Sequence, residues 1–177
     1  MNIFNCDRWD ARFFAMADLV ASWSEDRSRR VGCVVVGDAN EVRSTGYNGL
    51  PRGVSAEHAK RHSRENGEKY LWFEHAERNA LFNMLRAGVS TSNCRMYCNS
   101  FPCADCARAI IQSGVSELRT FAPDLKDKKF GRHFEVALDM FKEGGVTVRF
   151  YSRRDDLISG VFGVLEETRN PDSGFFR

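Results

Sequence analysis

From Arg8 to Ser24 the apolar positions Phe13, Met16, Ala17, Val20 and Trp23 recur at intervals of three and four. That is the period of a helix with one buried face. Val31 to Gly37 (VGCVVVG) is an unbroken, largely β-branched run bounded by glycine, the pattern of a strand covered on both faces. The turn-like GDAN then leads into EVRSTGYNG, which is expected to pair back as a hairpin. Pro51 to Lys69 is polar and irregular, a long loop or a surface helix. From His75 the segment HAERNALFNMLRAG predicts a helix with Ala80, Leu81, Met84 and Leu85 inside and Gly88 at its end. Strand and helix signals then alternate: CRMYCN, CADCARAIIQSG closed by Gly114, VSELRTFA, HFEVALDMFKEGG and VTVRFY. A last helix is expected over Asp156 to Thr168, followed by the tail RNPDSGFFR.

Helix, hairpin, then alternating helix and strand predicts an α/β sandwich of three layers, with helices on both faces of a mixed sheet of about five strands. No repeat, low-complexity tract or linker interrupts it. One domain is expected over residues 1–177, with a core at 9–150 and a C-terminal helix and tail at 151–177. The length suits one core and is short for two.

Composition narrows the setting. With 42% hydrophobic and 28% charged residues the chain fits neither a disordered nor a membrane class. No apolar stretch approaches the roughly 18–20 residues of a membrane span. The opening MNIFNCDRWD lacks a basic region followed by an apolar one, so a cytoplasmic protein is expected. In a reducing compartment the six cysteines read as metal ligands or buried thiols rather than a disulfide framework. A net charge of +2 does not imply a polynucleotide partner. The local basic clusters Arg27, Arg29, Arg30 and Lys60, Arg61, Arg64 are solvated faces or phosphate contacts.

The candidate chemistry lies in SFPCADCARAII. Pro102 marks a helix start, so Cys103 and Cys106 share its first turn and one side, where two sulfurs reach one ion. The helix N-terminus also favours the thiolates that metal binding needs. A redox pair and a structural zinc knuckle are the rivals. The first would follow the first strand of a thioredoxin-like unit, and the second usually wants four protein ligands. Cys94 and Cys98 are imaginable partners, but their spacing suits buried thiols on a strand. EHAERNA supplies a third ligand at the preceding helix start. His75, Cys103 and Cys106 leave one position of a zinc ion open, the catalytic arrangement. Two thiolates and an imidazole leave the site formally neutral, so a separate base is needed, and Glu77 fits. Taken singly these residues have plainer readings: a cap, a carboxylate complementing a helix dipole, a chance cysteine pair.

H-x-E followed by P-C-x-x-C resembles the signature of zinc deaminases. With TGYNGLPRG, HAERNA and FPCADCARAIIQSGV, the likeness over about residues 9 to 150 is to the deoxycytidylate (dCMP) deaminase family. That resemblance implies a cytidine deaminase-like fold, conversion of dCMP to dUMP and ammonia, a zinc ion, a homo-oligomer and, in many members, control by dCTP and dTTP. It implies His75, Cys103 and Cys106 as zinc ligands and Glu77 as proton shuttle. It further implies Asn48 at the sugar and the Ala76 backbone N–H at the base carbonyl. Where relatives carry R-S-K-D this chain has WSED, keeping only Ser24 and Asp26 as candidate substrate contacts. Leu125 stands near where many relatives place a tyrosine. Phosphate is expected to meet Arg27, Arg29, Lys126 or Arg132 instead.

The alternatives are a deaminase of another amino-bearing base, nucleoside or nucleotide, an RNA-base deaminase, and a non-catalytic zinc-stabilised module. Near-balanced charge counts against RNA, and Glu77 against a structural site. His58 and His62, four apart, are a minor candidate for a second metal, a solvated pair being the plainer reading. The apolar segment Leu157 to Glu167, beyond the last strand, is expected to bury against a neighbouring subunit or to fold back on its own sheet. Phe175 and Phe176 in the tail dock on a neighbour or fray.

Overall fold

The computed structural model describes residues 2–152. A two-residue strand β1 (Ile3–Phe4) precedes helix α1 (Arg8–Ala21) and the hairpin β2 (Gly32–Val36) and β3 (Val42–Tyr47). Two 3-10 turns, Ala59–His62 and Glu65–Gly67, lead into the single-turn helix α2 (Lys69–Trp72) and then α3 (Ala76–Ala87). Alternation follows: β4 (Arg95–Cys98), α4 (Ala104–Ser113), β5 (Glu117–Phe121), α5 (Gly131–Glu143) and β6 (Thr147–Tyr151). The predicted helix over 156–168, its apolar segment and the tail lie outside the described residues.

The sheet order is β1-β6-β5-β4-β2-β3, antiparallel where β2 meets β3 and β4, and parallel from β4 through β5 and β6 to β1. The expected mixed sandwich is borne out with one strand more. That strand, β1, is too short to show a period of two in the sequence.

Alternation along β2 divides the core. Cys33 and Val35 face α3, α4 and α5, with Met84, Ile110, Leu118 and Phe141. Val34 and Val36 face α1, with Phe13, Phe14, Tyr97 and Phe121. All five residues of β2 are buried, as its unbroken apolar run requires. Asp7 caps α1 through a reciprocal pair with Asp10: Trp9 N–H and Asp10 N–H donate to Asp7 Oδ1 at 2.7 and 2.8 Å. Asp10 also pins α1 to the sheet, accepting from Tyr97 Oη at 2.9 Å and pairing with Arg119. Gly88 and Gly114 end α3 and α4 in the left-handed region, at φ 65° and 78°.

Two apolar positions differ from the expected faces. Leu85, placed on the inner side of α3, is 77% exposed. Only Ala80, Leu81 and Met84 of that set are buried, because the inner stripe of α3 is narrow. Trp23 lies beyond the end of α1 and is 55% exposed, edge-on to Tyr47.

Close approach of α3 to the hairpin rests on Gly46 in β3. A Cβ there would sit 2.3 Å from both the Ala76 carbonyl oxygen and the Ala80 nitrogen. Neither backbone atom can yield without moving α3 off the sheet. Gly46→Ala is therefore expected to cost about 1–3 kcal/mol and to lower the melting temperature by roughly 5 °C. It should also slow turnover, since α3 begins with Ala76 and Glu77; calorimetry and steady-state rates check both. An unchanged melting point would mean that the helix has room to move outward.

Candidate active site

The parallel part of the sheet directs the C-terminal ends of its strands, and the N-termini of the helices that follow, toward one edge. Ligand crevices of open α/β sheets form at such an edge. His75 is the N-cap of α3 and Cys103 the N-cap of α4, with Cys106 in the first turn of α4. His75 Nδ1 lies 3.4 Å from each sulfur, and the three donor atoms all fall within 4.8 Å of one another. A tetrahedral zinc with bonds of about 2.3 Å to sulfur and 2.0–2.1 Å to nitrogen separates those donors by about 3.5 Å. The set therefore fits a zinc ion in size and donor chemistry. It is the one such group of three His, Cys, Asp or Glu side chains among the described residues.

Without a metal the cluster shares protons. A hydrogen bond from Cys106 holds the Cys103 thiol down to about 4 against the opposing effect of burial, with further help from His75. The His75 imidazole is pushed up to about 9, chiefly by its contact with Cys103. Cys106, as the proton donor of the pair and buried, is raised well above an ordinary thiol. Glu77, the second residue of α3, is only 3% exposed, and burial raises its carboxyl above the usual range. Burial thus favours the protonated form of this group more than water would.

His75, Glu77 and Cys103 line a cavity of about 370 Å³, with Cys106 buried and not in its wall, and that volume is within the roughly 300–1,000 Å³ of small-molecule sites. Ala76 is in its wall, with a backbone N–H that no carbonyl of its own helix can accept. Phe73, Phe101, Phe130 and Phe134 add apolar wall. Apart from this cluster, Cys33 and Cys98 stand opposite each other on β2 and β4, fully buried. Cys94 is buried as well, so the plainer reading of Cys94 and Cys98 holds.

Asn48 lines the cavity but is largely spent on the protein. Its Nδ2 donates to Asp26 Oδ2 and to the Arg29 carbonyl, both at 2.9 Å, and its Oδ1 accepts from Val31 N–H at 2.7 Å. One acceptor lone pair is left for a ligand. Ser24 is not in the wall: its hydroxyl donates to the Asn48 carbonyl at 2.6 Å and accepts from Asp26 N–H. It shapes the loop rather than the surface. Asp26 is in the wall with its carboxylate occupied by Ser28, Arg29, Asn48 and Lys69. Burial pushes this carboxyl up, but the bonds from Lys69 and Ser28 more than offset it and hold it below its ordinary value.

Of the four basic residues expected at phosphate only Arg29 lines the cavity. Arg27, Lys126 and Arg132 are exposed outside its wall, Arg132 against Glu135. Arg64, Lys69 and Lys129 occupy the wall instead, brought there by the turns before α3 and the loop before α5. Leu125 is 41% exposed and also outside the wall, where Tyr70 of α2 supplies an aromatic ring. Arg64 belongs to a basic cluster that the sequence marks, but nothing local flags Lys69 or Lys129, which two long loops bring to the same cavity. Asn99 was missed too. It accepts from Gly32 N–H at 3.0 Å and donates to Asp18 at 2.7 Å, fixing the end of β4 below the cavity. Among the described residues His58 and His62 join no metal group. His62 Nε2 meets the Ala56 carbonyl at 2.9 Å and its ring packs edge-on to Phe73, which pins the loop.

Residues 7–122 match the family described as the cytidine and deoxycytidylate deaminase zinc-binding region. The chain is 40% identical over 144 residues to an uncharacterized deaminase of Aliivibrio fischeri, covering 80% of this chain and 92% of the relative. It is 37% identical over 147 residues to the deoxycytidylate deaminase of Mus musculus, covering 81% and 80%. Among solved structures, the dCMP deaminase of cyanophage S-TIM5 in complex with dCMP and dUMP aligns with a TM-score of 0.69 at 24% identity. That alignment covers 83% of this chain and 99% of the other, and it bears on the fold.

Proposed function

The chain belongs to the cytidine and deoxycytidylate deaminase zinc-binding family, and from that premise we propose that it is a hydrolytic deaminase converting dCMP to dUMP and ammonia. The observation that carries the reading is one juxtaposition. A His, Cys, Cys donor set of zinc dimensions reaches a cavity through His75 and Cys103, and the buried Glu77 lines the same cavity.

His75, Cys103 and Cys106 would hold the zinc, three protein ligands with one position left for water. When bound, the metal supplies the Lewis acidity that makes water a nucleophile near neutral pH. Glu77 takes the proton released as the water oxygen attacks the amino-bearing carbon of the base. The same carboxylic acid returns it to the ring nitrogen and then carries the proton of the new hydroxyl to the amino group, so the carbon–nitrogen bond breaks, a carbonyl forms and ammonia leaves. Ala76 N–H donates to the base carbonyl and orients the ring. Phe73 and Phe101 exclude bulk water, which strengthens each of these contacts.

Ammonia release, measured with purified protein against a panel of amino-bearing bases, nucleosides and nucleotides, tests the reading. The largest kcat/KM is expected for dCMP. Release from another base in the panel, with none from dCMP, would overturn the substrate; release from none would overturn the reaction.

A cytoplasmic setting and a homo-oligomer are part of the same proposal. No helix among the described residues is long and apolar enough to cross a membrane, and all six cysteines are free thiols. Exposed Leu19, Phe82 and Leu85 on α1 and α3, with the edge of β3 that no strand among the described residues pairs, offer surface for a second copy. Light scattering at micromolar concentration should give at least twice the 20.2 kDa of one chain. A monomer mass would refute the oligomer.

A further inference from the structure

Asn48 meets the cavity with its amide already oriented, and the buried charges that orient it take no part in deamination. The backbone here is fixed separately: Gly49 and Glu74, next to Asn48 and His75, exchange both backbone hydrogen bonds, at 3.0 and 2.8 Å. The amide has two ends of nearly the same shape that differ in donating or accepting. Its Nδ2 end meets Asp26 Oδ2 and the Arg29 carbonyl, and its Oδ1 end meets Val31 N–H. Asp26 in turn accepts from five groups. Its Oδ1 takes Ser28 N–H, Ser28 Oγ and Arg29 N–H at 2.8, 2.8 and 3.2 Å, and its Oδ2 takes Asn48 Nδ2 at 2.9 Å and the Lys69 ammonium. Only the ionised carboxylate satisfies five donors; a proton on Oδ2 would set donor against donor and turn the Asn48 amide away. Yet Asp26 is 3% exposed, and burial by itself favours the protonated form. Lys69, itself 5% exposed and tied to Ser28 Oγ at 2.7 Å, is the one charged side chain bonded to Asp26 among the described residues. Arg29, Arg64, His75, Glu77, Asp127 and Lys129 line the same cavity without a side-chain bond to it. An ion pair this buried adds little to stability, because desolvation offsets most of the attraction. What it supplies is a fixed protonation state.

We propose that Lys69 is a positioning residue: by keeping Asp26 an acceptor, it holds the Asn48 amide in the orientation that presents an acceptor to the ligand. The identity of that ligand rests on the deaminase reading above. Asp26, expected at the substrate, acts on it through Asn48 instead. Loss of Lys69 should therefore weaken binding and spare the chemistry, because the Gly49–Glu74 pair keeps the start of α3 in place.

Calorimetric titration of the zinc-loaded protein with dUMP and with deoxyuridine, between about pH 5.5 and 8.5, tests this. In Lys69→Met the buried carboxyl loses its cation and takes up a proton as pH falls. Affinity relative to wild type should then drop by about 5- to 10-fold at the acid end and recover at the alkaline end. The factor should be the same for both ligands, since deoxyuridine has no phosphate for a lysine to meet. Asp26→Asn combined with Lys69→Met removes both charges, keeps an acceptor for the Ser28 and Arg29 N–H groups and sets an amide nitrogen against Asn48 Nδ2. Its loss should be the same at every pH. With dCMP as substrate both variants should show the loss in KM, with kcat within about 3-fold of wild type. In wild type the side-chain amide signals of Asn48, assigned by their loss in Asn48→Ser, should keep their NMR positions across the range; this check needs no change at Lys69. Titration of those signals, a loss confined to dUMP, or wild-type affinity for both ligands in the folded double variant overturns the proposal. If dCMP is bound but not deaminated while these binding results stand, the deaminase reading fails and the positioning role survives it.

Discussion

Glu77→Gln is expected to keep the zinc and the fold while removing nearly all turnover. Glutamine has the shape of glutamate and can still hydrogen-bond within the first turn of α3, so the buried position should stay filled. What it lacks is a proton that can be taken up and returned. Proton transfer by one positioned group contributes about 10²- to 10⁴-fold to a rate, and a group used in successive steps contributes more. The loss should therefore appear in kcat, measured on protein whose zinc content and melting temperature match wild type. Retention of a tenth of wild-type activity would remove Glu77 from the role proposed for it. Glu77→Ala serves as a second check, since its cavity would also lower stability.

Cys106→Ser should abolish zinc binding along with activity. A serine hydroxyl is not ionised near neutral pH and is a poor zinc ligand beside the thiolate it replaces. The remaining pair, His75 and Cys103, falls short of the three protein ligands of a catalytic site. Elemental analysis should fall from one zinc per chain in wild type to less than about a tenth, since binding by a complete site is worth on the order of 10 kcal/mol. A structural consequence follows from the fold. The metal would join the N-termini of α3 and α4, so its removal should lower the melting temperature of wild type. Chelator should then have no further effect on the variant. Zinc retained at full stoichiometry by Cys106→Ser, or four protein ligands around the ion, would sink the catalytic arrangement.

The grouping of His75, Cys103 and Cys106 was legible because much of its geometry is local. Cys103 and Cys106 are three apart at a helix start, and a helix puts such residues on one side whatever surrounds it. His75 and Glu77 open the preceding helix in the same way. Joining the two turns across 28 positions, from His75 to Cys103, took an argument about strand ends and a resemblance to a family of known chemistry. The hairpin was readable for a similar reason: its strands are separated only by a turn, whose Asn40 takes the left-handed conformation at φ 64°.

The far wall of the cavity was not legible. Arg27, Arg29, Lys126 and Arg132 were chosen by nearness in sequence to motif segments, and of them only Arg29 lines the site. Lys69 sits at the end of a polar stretch that reads as loop, and its partner Ser28 is 41 positions away. Leu85 and Trp23 satisfied a helical period yet remain exposed, because a period says which residues share a face and not how wide the covered face is.

By itself the sequence determined the alternation of helix and strand after the hairpin, the glycine-ended helices, the burial of β2 and the donor types of the His75, Cys103 and Cys106 group. Each follows from backbone geometry acting over a few residues, or from donor chemistry that no tertiary contact alters. Tertiary structure alone decided that β1 joins the sheet, that Ser24 and most of Asn48 are consumed in shaping a loop, and that Arg64, Lys69 and Lys129 share one wall. Those outcomes depend on how loops far apart in the chain meet over the sheet edge. Which of them meet is set by long-range packing and by the partners that buried charges must find.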